Sequence, residues 1–211
     1  MRRHIHRLDD QLFRTVAAIL PERVLEGLAE GEARFPPIPP EVRALLGNGQ
    51  EFRRWLERLG ADLCEKLYAE MGPFLPVFVL RAALPLYVGA REVLAGKGMA
   101  RIGLISTARD EHGVPRLVSC KLPPSGNLPV VLFDVVAARG DTLASCVDAL
   151  YQQHRTPVDL AVVFLTRRAL GTLLPKLLPG KGRLHALYLT SNYPVLAALR
   201  DTGDLLFGPV E

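Results

Sequence analysis

The chain has 211 residues, 49% of them hydrophobic and 23% charged, with a formal net charge of +4. That length suits one α/β domain with an appended segment, and the apolar share supplies a sizeable core. So mild a positive charge, with its densest basic run confined to Arg2, Arg3, His4, His6 and Arg7, favours anionic ligands and makes no case for nucleic acid.

Residues 8–30 have a helical pattern, with Leu12, Val16, Ala17 and Leu20 on one face before Pro21. Phe35-Pro36-Pro37-Ile38-Pro39-Pro40 reads as a stiff extended connector, because proline fixes φ and donates no hydrogen bond. These two features give a helical extension over 1–50, ahead of a main domain over 51–211. A strong amphipathic helix follows: Phe52, Trp55, Leu56, Leu59, Leu63, Leu67 and Met71 recur at helical spacing until Gly72-Pro73. Trp55 belongs to the core on this pattern.

From residue 74 the rhythm changes. Strands are predicted at 77–80, 101–106, 130–133, 160–165 and 184–189, and helices at 84–94, 142–153 and 167–178, the last with Pro175 as a kink point. Residues 110–120 form a polar excursion, a hairpin around His112-Gly113. Alternating strands and helices imply a parallel sheet covered on both faces, with ligands beyond the carboxyl ends of the strands. The loops starting at 81, 107, 134 and 190 should therefore share one crevice. The most apolar stretch, 74–90, holds Arg81, Pro76 and Pro85, so no membrane partner is expected. Met1-Arg2-Arg3 starts like a secretory signal, but Asp9, Asp10 and Gln11 interrupt it. Cys64, Cys120 and Cys146 show no CxxC spacing and an odd count, which points to reduced thiols in a cytoplasm.

The richest stretch is Val130-Val131-Leu132-Phe133-Asp134, followed by small residues and then Arg139-Gly140-Asp141-Thr142. A strand delivers a carboxylate, and the amides of Ala138 to Thr142 at a helix start suit a phosphate. Thr142 adds a hydroxyl and Arg139 a planar fork. The other reading of Asp134 is a cap on the next helix. Arg81 either clamps a diphosphate or forms a structural salt bridge, and Arg109, after another strand, reads the same way. Asp201-Thr202-Gly203-Asp204 is either a second acidic group in the crevice or a surface turn. No nucleophile–base pair stands out, and neither GxSxG, HExxH nor a phosphate-binding P-loop occurs.

In this order the features resemble the uracil phosphoribosyltransferase family of type I phosphoribosyltransferases, over residues 77–211. Leu80-Arg81-Ala82-Ala83-Leu84-Pro85 with Gly89 is similar to its pyrophosphate loop. Gly103-Leu104, Arg109-Asp110-Glu111 and Lys121-Leu122-Pro123 are similar to its hairpin, and Asp134 to Thr142 to its phosphoribosyl pyrophosphate loop. Asp201-Thr202-Gly203-Asp204-Leu205-Leu206-Phe207-Gly208 is similar to its closing motif. The resemblance implies a type I phosphoribosyltransferase-like parallel sheet flanked by helices, and transfer of a 5-phosphoribosyl group to a nitrogen of uracil or a related base. It implies that Arg81 and Arg109 bind the pyrophosphate or 5-phosphate end of phosphoribosyl pyrophosphate, Asp134 the ribose, and Ala138, Arg139, Gly140, Asp141 and Thr142 the 5-phosphate. Val195, Arg200, Asp201 and Thr202 fall at the base-binding positions. Asp201 helps assemble Mg²⁺ through the pyrophosphate, which makes Asp134, Asp201 and Arg109 the catalytic set. Separately, the extra N-terminal helices lead us to expect a homodimer or higher homo-oligomer. The chain departs from the family at Ala83, Val135, Arg139 and Asp141, and over Tyr193–Arg200, where three glycines are missing. Arg200 there implies an anionic acceptor such as a carboxylated ring. The same departures leave room for a non-catalytic relative that binds a nucleotide or phosphosugar.

Overall fold

The runs Leu75–Leu80 (β1), Val130–Ala137 (β4) and Val158–Thr166 (β5) are buried along nearly their whole length. Strands apolar on both faces are those of a parallel sheet covered on both sides. With Gly103–Arg109 (β2), Pro115–Lys121 (β3) and Leu184–Thr190 (β6) they form a six-stranded sheet of order β3-β2-β1-β4-β5-β6. Only the β2–β3 pair is antiparallel, the expected hairpin at one edge. The computed structural model describes residues 38–99, 101–153, 156–177, 182–190 and 202–208. The helix expected over 8–30, most of the proline-rich connector, and Val195, Arg200 and Asp201 lie outside them.

One layer carries Pro40–Leu45 (α1), Gly49–Met71 (α2) and Leu84–Gly96 (α3), and the other Asp141–Gln153 (α4) and Arg167–Leu177 (α5). Thr202–Phe207 (α6) joins the first layer through Leu206. Pro40 is not part of an extended connector but the first residue of α1, where its missing N–H removes no helical bond. Ile38 and Val42 bury in the same core as Trp55, Leu56 and Leu63. Asn48 starts α2 by accepting from the amides of Gln50 (3.1 Å) and Glu51 (3.2 Å). Cys64 and Cys146 are buried free thiols, and burial pushes both up to about 12, so neither is a reactive thiolate. No helix among the described residues is long and apolar enough to cross a membrane.

Two glycines set the α2–α3 crossing. A Cβ on Gly89 would lie on the Glu57 carbonyl oxygen of α2, and one on Gly60 would lie on the Leu86 carbonyl oxygen of α3. Each helix presents a bare backbone to the other's. Gly89, read from sequence as part of the pyrophosphate loop, serves the packing of the helix that follows that loop.

The strand expected to stop at Phe133 continues to Ala137. Val135, Val136 and Ala137 are apolar, and Val136 and Ala137 pair with Phe164 and Leu165 of β5, while the pairing skips Val135. Alternation also slips here. A strict two-residue period would send Val135 and Val136 to opposite faces, yet both pack toward the α2–α3 layer, as do Val163 and Phe164 beside them. The loops at the carboxyl edge therefore begin at 110 and 138 rather than at 107 and 134.

Candidate functional site

Strand order places β1 at the centre, with β2 on one side and β4 on the other. The chain reverses its winding between β1 and β4, and in such sheets a crevice opens there beyond the carboxyl ends. Arg81 follows β1, Arg109 closes β2, and the 138–140 loop follows β4, so one sheet edge gathers all three.

Gly140 has φ +85°, a left-handed conformation that a side chain disfavours. It also lies against α5, where a Cβ would come within 3.1 Å of the Ala169 carbonyl oxygen. Its own carbonyl accepts from Ala144 N at 2.8 Å, which starts α4. The first amides of α4, from Asp141 on, have no carbonyl four residues back within the helix and face the crevice edge with the positive end of its dipole. Thr166 holds this loop in place: its hydroxyl donates to the Ala138 carbonyl (2.5 Å) and accepts from Ala169 N (2.9 Å). A threonine directly before a helix is a legible capping signal, and Thr166 joins the site residues read from sequence. Thr166→Val keeps the shape and removes both bonds. We expect a stability loss of about 1–3 kcal/mol in urea unfolding, with faster hydrogen exchange at Ala169; unchanged exchange would mean the loop is held otherwise.

Arg109 and Arg139 come together. Arg109 Nη1 donates to the Gly113 carbonyl at 2.8 Å, and Arg139 Nη2 reaches the same oxygen at 3.4 Å. The hairpin tip that supplies this oxygen is built by Asp110. Its Oδ1 accepts from His112 N (3.0 Å) and Val114 N (2.9 Å), while its Oδ2 pairs with Arg116. Arg139 Nε also meets Asp141 Oδ2 at 3.0 Å. Two exposed guanidinium groups thus converge beside a helix N-terminus, with one carboxylate partly balancing them.

Arg81 lies at the turn between β1 and α3, after a cis Leu80–Arg81 peptide bond. Ala83, which stands where the resembled family has glycine, takes an ordinary φ of −81°. The Arg81 guanidinium donates to Asp204 Oδ1 at 2.5 Å and to the Gly208 carbonyl at 3.2 Å. Of the closing motif, Thr202 is buried at the start of α6, and Asp204, not singled out from sequence, is the residue that reaches Arg81.

Asp134 does not end its strand in open solvent. It is 6% exposed and lies near the Cys146 thiol of α4, on the sheet face that α4 and α5 cover. Burial pushes its carboxyl up to about 7, against the opposing pull of the Val135 and Val136 amides; Val135 N donates to Oδ1 at 2.7 Å. The helix-cap alternative for Asp134 is excluded, because Gly140 opens α4. Among the described residues no three His, Cys, Asp or Glu side chains cluster as a metal site.

No family model matches the sequence, and no curated protein matches it. The fold has solved counterparts. The AQ2163 protein of Aquifex aeolicus aligns with a TM-score of 0.63 at 19% identity, covering 82% of this chain and 96% of its own. The two share a fold. A purine phosphoribosyltransferase from Pyrococcus horikoshii aligns over 54% of this chain and 74% of its own, at 19% identity and a TM-score of 0.45. A hypoxanthine-guanine phosphoribosyltransferase from Bacillus anthracis aligns over 53% and 66%, at 13% identity and 0.42. Overlap of that extent decides no activity.

A second buried charge group lies at the opposite edge of the sheet. Asp159 is held below the usual carboxylate range: burial would raise it, but the neighbouring His185, the Arg183 amide, which donates to Oδ1 at 2.7 Å, and the Arg183 charge prevail. Arg183 also reaches Glu70 at 3.6 Å, which ties β5 and β6 to the end of α2. This group is structural scaffolding, remote from the crevice.

Proposed function

We propose that the crevice binds phosphoribosyl pyrophosphate and that the protein transfers its 5-phosphoribosyl group to a nitrogen of a base or related aromatic acceptor, with release of pyrophosphate. The observation that carries this reading is the gathering of Arg81, Arg109, Arg139 and the α4 N-terminus at the switch point of one parallel sheet. Three arginines and a helix start suit a ligand with phosphates at two ends. The loop from Ala138 to Thr142 takes the 5-phosphate, Arg81 the diphosphate and Arg109 the diphosphate or 5-phosphate end, and the resemblance gives Asp134 the ribose. Thr202, with Val195, Arg200 and Asp201, belongs to the acceptor end. Displacement at the anomeric carbon builds positive charge on the sugar and negative charge on the leaving diphosphate. The protein's task is to hold both substrates in line and to stabilise the departing anion with fixed guanidinium groups. No protein nucleophile is required. The described residues offer Mg²⁺ no cage of their own. Mg²⁺ would enter with the diphosphate, with Asp201 as its indirect protein contact, and would supply charge neutralisation of the leaving group. Uracil is the acceptor that the sequence resemblance suggests. A cytoplasmic homodimer or higher homo-oligomer completes the proposal.

A second reading is favoured by the pairing of Arg81 with Asp204 and of Arg139 with Asp141. In it, the protein binds the phosphosugar without turnover. Incubation with phosphoribosyl pyrophosphate, Mg²⁺ and a panel of bases and aromatic carboxylates, reading pyrophosphate release, separates the two. Release with one acceptor is expected, and the double variant Arg109→Ala, Arg139→Ala should weaken donor binding about 10- to 100-fold. Donor binding without release would leave the second reading, and absence of donor binding would end both.

A further inference from the structure

We propose that Asp204 is a built-in competitor for the diphosphate, holding on Arg81 the place that a diphosphate oxygen takes when the donor binds. The proposal depends on the diphosphate reading of Arg81 given above. Two Arg81 nitrogens face α6 and the residue after it: Nη2 meets the Asp204 carboxylate at 2.5 Å, and Nη1 meets the Gly208 carbonyl at 3.2 Å. Gly203 makes the approach possible, since a Cβ there would stand 3.3 Å from both Nε and Nη2. A guanidinium fork donates to a carboxylate and to a phosphate in the same geometry, so the two anions compete for Nη2.

The contact is placed to exchange rather than to hold the fold. The Arg81 and Asp204 side chains are 40% and 36% exposed, so water and an incoming anion reach them. An ion pair that open adds little to stability. The helix has other anchors. Leu206 is 2% exposed and Thr202 is 6% exposed. Phe207 lies beneath the Arg53 guanidinium, 4.8 Å from its ring centre, and the Leu205 carbonyl packs where Gly49 has no side chain. Breaking the Arg81–Asp204 pair therefore leaves α6 docked on α2. The Asp204 carboxylate keeps Arg81 neutralised and aimed, and a diphosphate, with more charge than one carboxylate, displaces Asp204 and finds Arg81 in position.

A structural role and a competing role predict opposite signs. Inorganic pyrophosphate with Mg²⁺, titrated calorimetrically into the full chain, is the probe, with thermal melting of each variant alongside. Asp204→Asn should bind pyrophosphate about 3- to 10-fold more tightly than wild type. Asp204→Glu, which keeps the charge, should stay within about twofold, and Arg81→Gln should lose binding. Equal or weaker binding by a folded Asp204→Asn, with binding lost in Arg81→Gln, overturns the competitor and leaves the diphosphate reading standing. Should Asp204→Asn melt early, Asp204→Ser is titrated in its place, to the same criterion. Wild-type binding by Arg81→Gln removes Arg81 from the diphosphate and overturns the competitor with it. Absence of binding by every variant overturns the diphosphate reading itself.

Discussion

Gly89→Ala is expected to cost at least about 3 kcal/mol of folding stability, while Gly96→Ala, in the same helix, costs nothing or stabilises by up to about 1 kcal/mol. A Cβ on Gly89 has the Glu57 carbonyl oxygen in its way, and that oxygen belongs to the backbone of α2, which cannot turn aside as a side chain can. Gly60 closes the same contact from the other helix, against the Leu86 carbonyl. One methyl group at 89 must push α2 and α3 apart and open gaps around Leu56, Leu63, Leu86 and Ala90, all fully or nearly fully buried. A loss of that size is a large part of the roughly 5–15 kcal/mol that a domain has. Nothing stands within 4 Å of a Cβ at Gly96, where alanine only gains helix propensity. Urea midpoints of the two variants measure the difference, and equal midpoints would refute the close crossing. Because α3 begins directly after the Arg81 turn, Gly89→Ala should also weaken diphosphate binding.

The central strands β1, β4 and β5 were legible because they are buried on both faces. Val77–Leu80, Leu160–Leu165 and Leu184–Leu189 are apolar runs bounded by turn residues, and the structure extends each by only a residue or two at its ends. The 3.6-residue spacing from Phe52 to Met71 located α2, since a helix on a sheet needs one apolar stripe. His112-Gly113 marked the hairpin, and Gly113 takes φ +74° at its tip. The end of β4 was harder. Asp134 looked like a stop because a charge inside a strand is rare, and only β5 alongside shows that the residues after it still pair. The slip in facing at Val135 and Val136 arises between two neighbouring strands, so it has no signature in either strand alone. For Arg81 the sequence left a clamp and a salt bridge equally open. The partner, Asp204, lies 123 residues away, and no local pattern connects them. Val195, Arg200 and Asp201 fall outside the described residues, so the acceptor end of the site is a reading of sequence.

Asp134→Asn should stabilise the protein above neutral pH and abolish turnover. The carboxyl is pushed up to about 7 in the folded chain from its ordinary 3.8. Between those values the native state keeps a proton that the unfolded chain has released. Stability therefore falls as pH rises from about 4 to about 7, then stays at its lower level. A shift of that size corresponds to a penalty on the order of 4 kcal/mol at pH 8. Asparagine retains the oxygen that accepts from Val135 N and cannot ionise, so the penalty should vanish and the pH profile flatten across that window. Substitutions that relieve the cost of a buried charge at a functional site commonly remove function. Asp134 lies beneath α4 and just ahead of the 138–140 loop, so on the proposed function its loss should end turnover. Urea unfolding of wild type and Asp134→Asn at pH 4, 6 and 8, with pyrophosphate release measured on the same samples, decides both halves. An undiminished pH slope in the variant would assign the proton to another group. Full activity in the variant would take Asp134 out of the chemistry and leave its burial without an explanation in this site.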